Sequence, residues 1–236
     1  MSITLRIGTS GFSYREWLGA FYPEKLPGKQ MLAYYAARIP TVEINYTFRA
    51  MPKPAMLEGW AAATPASFRF ALKAPERITH RARLTGADEA VDRFATVAGS
   101  LGERLGPVLF QLPPDFKIDL DRLKEFLARL DGRLRAAFEF RNRSWFSDAA
   151  FQTLRDFGAA LCIAESEKIV TPIEKTAPFV YVRLRKAAYD HDALAQWATR
   201  LHQLASDGSE VYVYFKHELS APELAENLAR LIADRA

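Results

Sequence analysis

One cysteine and four histidines are all that 236 residues offer of the side chains that most often hold metals or pair as disulfides. With Cys162 alone, no intramolecular disulfide can form, and the apolar run around it, AALCIAES, reads as a place for a small buried hydrophobe rather than a nucleophile. No run approaches the roughly 18 uninterrupted apolar residues of a spanning helix. The opening stretch MSITLRIGTSG enters strand-like sequence without the charged and then apolar regions of an export signal. The expectation is a soluble, cytoplasmic chain without a membrane partner. Low-complexity segments, internal repeats and interdomain linkers are missing too, which leads us to expect one domain over 1–236. Nor is one sign of charge in great excess: the net charge is +4, with a pI near 9.2. That leans towards anionic partners without requiring nucleic acid.

What is present is alternation. Strand-like runs recur as ITLRIG, TVEIN, SFRFALK, PVLFQL, AAFEFR, AALCIAE, FVYVRLR and EVYVYFK. Between them lie stretches such as DLDRLKEFLARL and HDALAQWATRLHQLA, whose apolar residues fall three and four apart, as on an amphipathic helix. Asp119 and Ser147 suit helix N-caps and Gly158 a C-cap. Strand followed by helix, eight times in this length, predicts a single α/β TIM-type (β/α)8 barrel with right-handed crossovers. The connection between strands 6 and 7, SEKIVTPIEKTAP, holds two prolines and is too short and broken for a covering helix. The barrel is expected to be irregular there.

Parity along the strands then assigns each side chain to a face. Phe138 and Phe140 go outward to the helices, leaving Glu139 and Arg141 inward. Similarly Val42 and Ile44 leave Glu43 and Asn45; Phe68, Phe70 and Leu72 leave Arg69, Ala71 and Lys73; Phe110 and Leu112 leave Gln111. In the last two strands the inward set is Tyr181, Arg183 and Arg185, then Tyr212, Tyr214 and Lys216. A polar, charged interior follows, and buried charges must pair with each other, with water or with a ligand. Pairs such as Glu139 with Arg69 or Arg183 would plug the barrel. Against a mere plug stands position: Asn45, Lys73, Gln111, Arg141 and Lys216 come last in their strands, at the end where barrel chemistry is done.

Several stretches together resemble the YecE-like family, the domain of unknown function numbered 72, over essentially the whole chain. They are GTSGFSYREW at 8–17, FYPEKLP at 21–27, TVEINYTFRAMP at 41–52, FRFALKAPERITH at 68–80, LGPVLFQLPPDF at 105–116, FEFRNRSW at 138–145, YVRLR at 181–185 and VYVYFK at 211–216. The resemblance implies a TIM-type barrel and no established reaction. The chain departs from the family's pattern where a histidine and glycine commonly follow YVRL, here Arg185 and Lys186. It departs again where an asparagine pair commonly follows VYVYF, here Lys216 and His217.

The candidate chemistry is drawn from these residues. Glu43 and Glu139 suit a general acid/base pair, whose separation decides whether glycoside hydrolysis is feasible. Lys73 suits a Schiff base if its pKa is depressed. Arg141, Arg183 and Lys216, with Asn45 and Gln111, suit an anion. GTSGF lacks the second glycine of a serine nucleophile elbow, so Ser10 and Gly11 are read as a tight turn that could cradle an anion in its backbone N–H groups. Trp17 and Trp145 lie in loops and could stack on a sugar or a base, whereas Phe21 and Phe48 read as loop packing. The histidines and carboxylates show no metal-ligand spacing, so no metal site is expected, and nothing implies a cofactor or fixes the oligomeric state. Three readings stay open: an enzyme, whether hydrolase, lyase or isomerase, acting on a small anionic, phosphorylated or sugar-like compound; a nucleic-acid or nucleotide-binding module; and an inert polar plug. The basic run ERITHRARL, with Arg77, His80, Arg81 and Arg83, is what the second would need outside the mouth.

Overall fold

A computed structural model describes residues 4–217 and 219–234. Eight parallel strands, β1 (Leu5–Ser10), β2 (Thr41–Ile44), β3 (Arg69–Lys73), β4 (Leu105–Gln111), β5 (Ala136–Glu139), β6 (Ala160–Glu165), β7 (Phe179–Leu184) and β8 (Glu210–Phe215), close into a barrel in sequence order. Each run predicted from alternation is a strand, with no end moved by more than two residues; Ile3 of the first run lies outside the described residues. The helices are α1 (Met31–Ala36), α2 (Tyr46–Arg49), α3 (Pro54–Ala62), α4 (Asp88–Ala98), α5 (Leu120–Leu130), α6 (Asp148–Asp156), α7 (His191–Ala205) and α8 (Ala221–Ala233). The last helix-like run of the sequence, SAPELAENLARLIADRA at 220–236, ends in residues 235–236, which also lie outside the described residues. Asp119 caps α5 by accepting from the Arg122 N–H at 3.1 Å, and Ser147 caps α6 by accepting from Ala150 N–H at 3.4 Å. Gly158, at φ +62°, turns the chain out of α6. No helix separates β6 from β7. Among the short elements that escaped the sequence pattern are α2, a single π-helical turn at Arg77–Arg81, and 3-10 turns at Arg15–Trp17 and Arg143–Trp145.

The strand parity places apolar side chains on both sides of the sheet. Outward residues such as Val42, Phe70, Phe110, Phe138, Val182 and Val213 join the helices in one large core. Inside the barrel, Ala71, Leu109, Ala137, Cys162, Tyr181, Tyr212 and Tyr214 form a second, smaller cluster. The interior is therefore layered: small and aromatic in the middle, charged near the carboxyl ends, and charged again at the amino ends, where Glu210 pairs with Arg6 and Arg135. Cys162 sits fully buried in that middle layer, where desolvation pushes its thiol well above the usual value. Arg69 does not reach Glu139. It lies at the opposite end of β3 and donates to the carbonyls of Ala66 and Phe68.

β1 and β2 approach closely at Gly8, where a Cβ would stand 2.0 Å from the Thr41 carbonyl oxygen. Only glycine allows this contact. It fixes Ser10 opposite Glu43 in the β1–β2 register.

Candidate functional site

Strand register brings the charged layer together. Ser10 faces Glu43 across β1 and β2, and Gln111 faces Glu139 across β4 and β5. Accordingly Ser10 Oγ donates to Glu43 Oε1 at 2.5 Å, and Gln111 Nε2 donates to Glu139 Oε2 at 2.9 Å. Arg183 reaches in from β7 and joins the two halves: Nη2 donates to Glu43 Oε1 at 2.8 Å and Nη1 to Glu139 Oε2. Tyr181 OH adds a bond to Glu43 Oε2 at 2.7 Å. On Glu139 Oε1, Arg141 Nε donates at 2.9 Å and Arg185 Nη1 at 3.4 Å.

Electrostatics follow from this wiring. Burial alone would raise the Glu139 pKa, but Arg183, Arg141 and Arg185 more than offset it and hold the carboxyl well below the usual range. Glu43 is likewise lowered, burial again being outweighed by Arg183 and the bonds from Ser10 and Tyr181. Desolvation opposes the charge on Arg183, yet its two carboxylates keep the guanidinium firmly protonated. Both glutamates are thus ionised and fully buried, bridged by Arg183, with Arg141 and Arg185 completing the shell of Glu139. In this arrangement both carboxylates are hydrogen-bond acceptors bridged by Arg183, so the structure presents no protonated carboxyl for the acid half of the pairing expected from sequence.

Lys73 differs. Its Nζ donates to Gln111 Oε1 at 2.8 Å and lies 3.8 Å from the centre of the Phe48 ring. Desolvation, then repulsion from Arg183, pushes its pKa down to about 7, with Glu43 and Glu139 pulling the other way. Phe48 is therefore more than loop packing, for it covers the ammonium and touches His80 edge-on, with ring centres 5.0 Å apart.

Other expected contacts are spent internally. Gly11 N–H donates to the Glu43 carbonyl at 2.8 Å, and the Ser10 hydroxyl donates to Glu43 while accepting from Asn45 Nδ2 at 2.7 Å. The turn is closed on the protein itself and offers these groups to no anion. Trp17 and Trp145 do not line the mouth either. Trp17 is buried among Tyr14, Phe21 and Tyr22, while Trp145 stacks on Phe140 at 4.5 Å and donates its indole N–H to Phe116 O at 2.8 Å. Lys216 is exposed at the end of β8.

Beside this network opens a cavity of ≈ 510 Å³ that sequence reasoning missed in part, lined by Pro114, Arg141, Arg143, Ser166, Glu167, Lys168, Ile169 and Arg185. Arg143 follows Arg141 at strand spacing, a signal present in FEFRNRSW; Lys168 sits in the irregular β6–β7 connection, where no periodicity marks it. The buried Nε of Arg185 has no hydrogen-bond partner among the described residues. Within the basic run, Arg83 pairs with Asp115 and Arg81 with Glu76. Among the described residues no three of His, Cys, Asp and Glu gather as a metal site, and no helix is long and apolar enough to cross a membrane.

Comparison with known proteins agrees with this architecture. The chain is 33% identical over 142 residues to UPF0759 protein YecE of Escherichia coli K12, covering 60% of this chain and 50% of that one. It is 32% identical over 163 residues to UPF0759 protein YunF of Bacillus subtilis, covering 64% and 55%. The matched regions thus span about half the length of these curated relatives. A crystal structure of a DUF72 family protein from Thermotoga maritima superposes with a TM-score of 0.84 at 26% identity, covering 98% of this chain and 99% of that one. One from Enterococcus faecalis shares the fold, at a TM-score of 0.80, 20% identity and 98% coverage of both. A family model described as "Protein of unknown function DUF72" matches residues 6–236, and the chain belongs to that family.

Proposed function

We propose that this protein is a cytoplasmic enzyme that binds a small anionic compound, phosphorylated or sugar-like, at the carboxyl-end mouth, with Lys73 as its proton-transferring group. The observation that carries the reading is the lining of the ≈ 510 Å³ cavity: Arg141, Arg143, Lys168 and Arg185 converge on it with a single carboxylate, Glu167. Arginine forks suit phosphate and carboxylate oxygens. Lys73 supports a chemical role because a group titrating near neutral pH can both take and give a proton. Glu43, Glu139 and Arg183 then serve as the rigid floor that positions Gln111, and through it Lys73.

Calorimetric titration with inorganic phosphate tests the anion site. Binding to the wild type, weakened about tenfold or more in Arg141→Ala and in Arg143→Ala, is the expected result, as loss of one charge-assisted contact implies. Phosphate binding that is absent, or indifferent to both substitutions, refutes the reading. The nucleic-acid alternative draws on a different cavity of ≈ 250 Å³, bordered by Arg49, Arg77, Arg81 and Arg93. It predicts oligonucleotide binding that falls steeply with salt.

A further inference from the structure

Buried lysines nearly always face a carboxylate. Lys73 lies at the carboxyl end of β3, only 9% exposed, and no ion pair to it is formed among the described residues. Its hydrogen-bond acceptor is a neutral amide oxygen, that of Gln111, and the face of Phe48 lies over the ammonium. The charged groups around it are Arg183, Arg141, Glu43 and Glu139, and the neighbouring His80 is depressed by burial first and then by the positive charge of Lys73. Both glutamates bond Arg183, at 2.8 Å for Glu43, and neither bonds Lys73, so their attraction to it is opposed by Arg183 beside them. A merely structural lysine would gain one amide hydrogen bond and one ring contact there against the cost of burying its charge. A nucleophilic amine gains reactivity, since desolvation and adjacent cations are the means by which a lysine is kept neutral and reactive.

We propose that Lys73 forms a Schiff base with a small aldehyde or ketone that carries an anionic group, the carbonyl carbon meeting Nζ while Arg141, Arg143 and Arg185 hold the anion. The substrate class rests on the anion-binding reading above; the amine chemistry does not. Three hydrogen bonds link the two ends of the site, from Lys73 to Gln111, from Gln111 to Glu139 and from Arg141 to Glu139. In the reaction the Nζ lone pair forms a bond to the carbonyl carbon, and the carbonyl π pair moves to oxygen. That oxygen takes up a proton and Nζ gives one up, leaving a carbinolamine. A second proton, drawn from solvent, lets the hydroxyl leave as water, and the nitrogen lone pair closes the protonated imine. Overall, amine, carbonyl and one proton yield iminium and water, with no change of oxidation state. The iminium withdraws electrons from the adjacent carbon, which favours proton removal or carbon–carbon cleavage there.

The test exposes the intact chain to glycolaldehyde phosphate or, in parallel, to glycolaldehyde. Borohydride then delivers hydride to any imine and fixes it as a secondary amine, and peptide mass spectrometry locates the label. The exposed lysines Lys53, Lys117 and Lys124 serve as comparators. At about pH 7, where an ordinary lysine is almost wholly protonated, Lys73 is expected to be labelled at least about tenfold faster than these. The phosphorylated aldehyde should lead, and inorganic phosphate should slow it. Labelling of Lys73 no faster than the comparators by either aldehyde overturns the proposal. Fast labelling by both aldehydes alike, unaffected by phosphate, upholds the Schiff base and sinks the anion site instead. Lys73→Arg, checked for an intact thermal transition, should lose the label at this peptide and at no other.

Discussion

Lys73 makes its strongest physical statement through pH. The folded protein holds its pKa down to about 7, whereas in the unfolded chain it returns to the ordinary lysine value. Between about pH 7 and pH 10 the unfolded state therefore binds the extra proton, and stability attributable to this residue rises with pH across that window. Below about pH 7 both states are protonated and the burial penalty is fully present. Lys73→Met removes the penalty. Urea unfolding should find the variant more stable than wild type at pH 6, by up to ~4 kcal/mol, with the margin shrinking towards zero above pH 10. A margin that is constant with pH would mean that Lys73 is not desolvated as described.

At the scale of the element, the strands were legible because parity on a doubly covered strand leaves little freedom. Phe138 and Phe140 can only pack against helices, so Glu139 must point inward, and register then sets Gln111 beside it. The loops obey no such rule. That Trp17 and Trp145 lie beyond strand ends can be read from sequence, but which way an indole turns depends on partners such as Tyr22 and Phe140 that only the fold brings near. The same holds for Ser10 and Gly11, whose donors are claimed by residues of β2 and its end. Nor did periodicity announce α2 or the turn at Arg77–Arg81, each too short to show one. The element most exposed to a single change is β1. β1 and β2 share only the register pairs Thr9 with Val42 and Ser10 with Glu43, and a Cβ at Gly8 would drive the two backbones apart at Thr41. Gly8→Ala should lower stability by roughly 3 kcal/mol, read from a denaturant midpoint, because the obstacle is a carbonyl and not a yielding side chain. A loss under about 1 kcal/mol would mean that the strands can part without consequence.

Across the whole molecule, Arg183 ties β7 to β2 and β5 through the barrel axis. Both of its carboxylates are more acidic folded than unfolded, so the stability they contribute is complete above the unfolded carboxylate range and is lost as pH falls through their folded values. Arg183→Met strips Glu43 of its ion-pair partner and leaves Glu139 to Arg141 and Arg185, and a loss of about 3 to 5 kcal/mol is expected, part of it recovered by adding Glu43→Gln and Glu139→Gln. Thermal unfolding of the single and triple variants measures both effects. A triple variant no more stable than the single one would show that the anions were never the problem.

The same trio has a consequence for traffic into the barrel. Glu139 meets three guanidiniums, those of Arg183, Arg141 and Arg185, and Glu43 shares the first of them, so the cluster keeps a surplus of positive charge to which Lys73 and Lys216 add. That surplus repels cations along the approach and draws anions inward. Because Arg141 and Arg185 are already bonded to Glu139, an incoming anion competes with a carboxylate for them rather than meeting free charges. Entry is an exchange of partners, and a ligand that cannot displace Glu139 stops at the mouth.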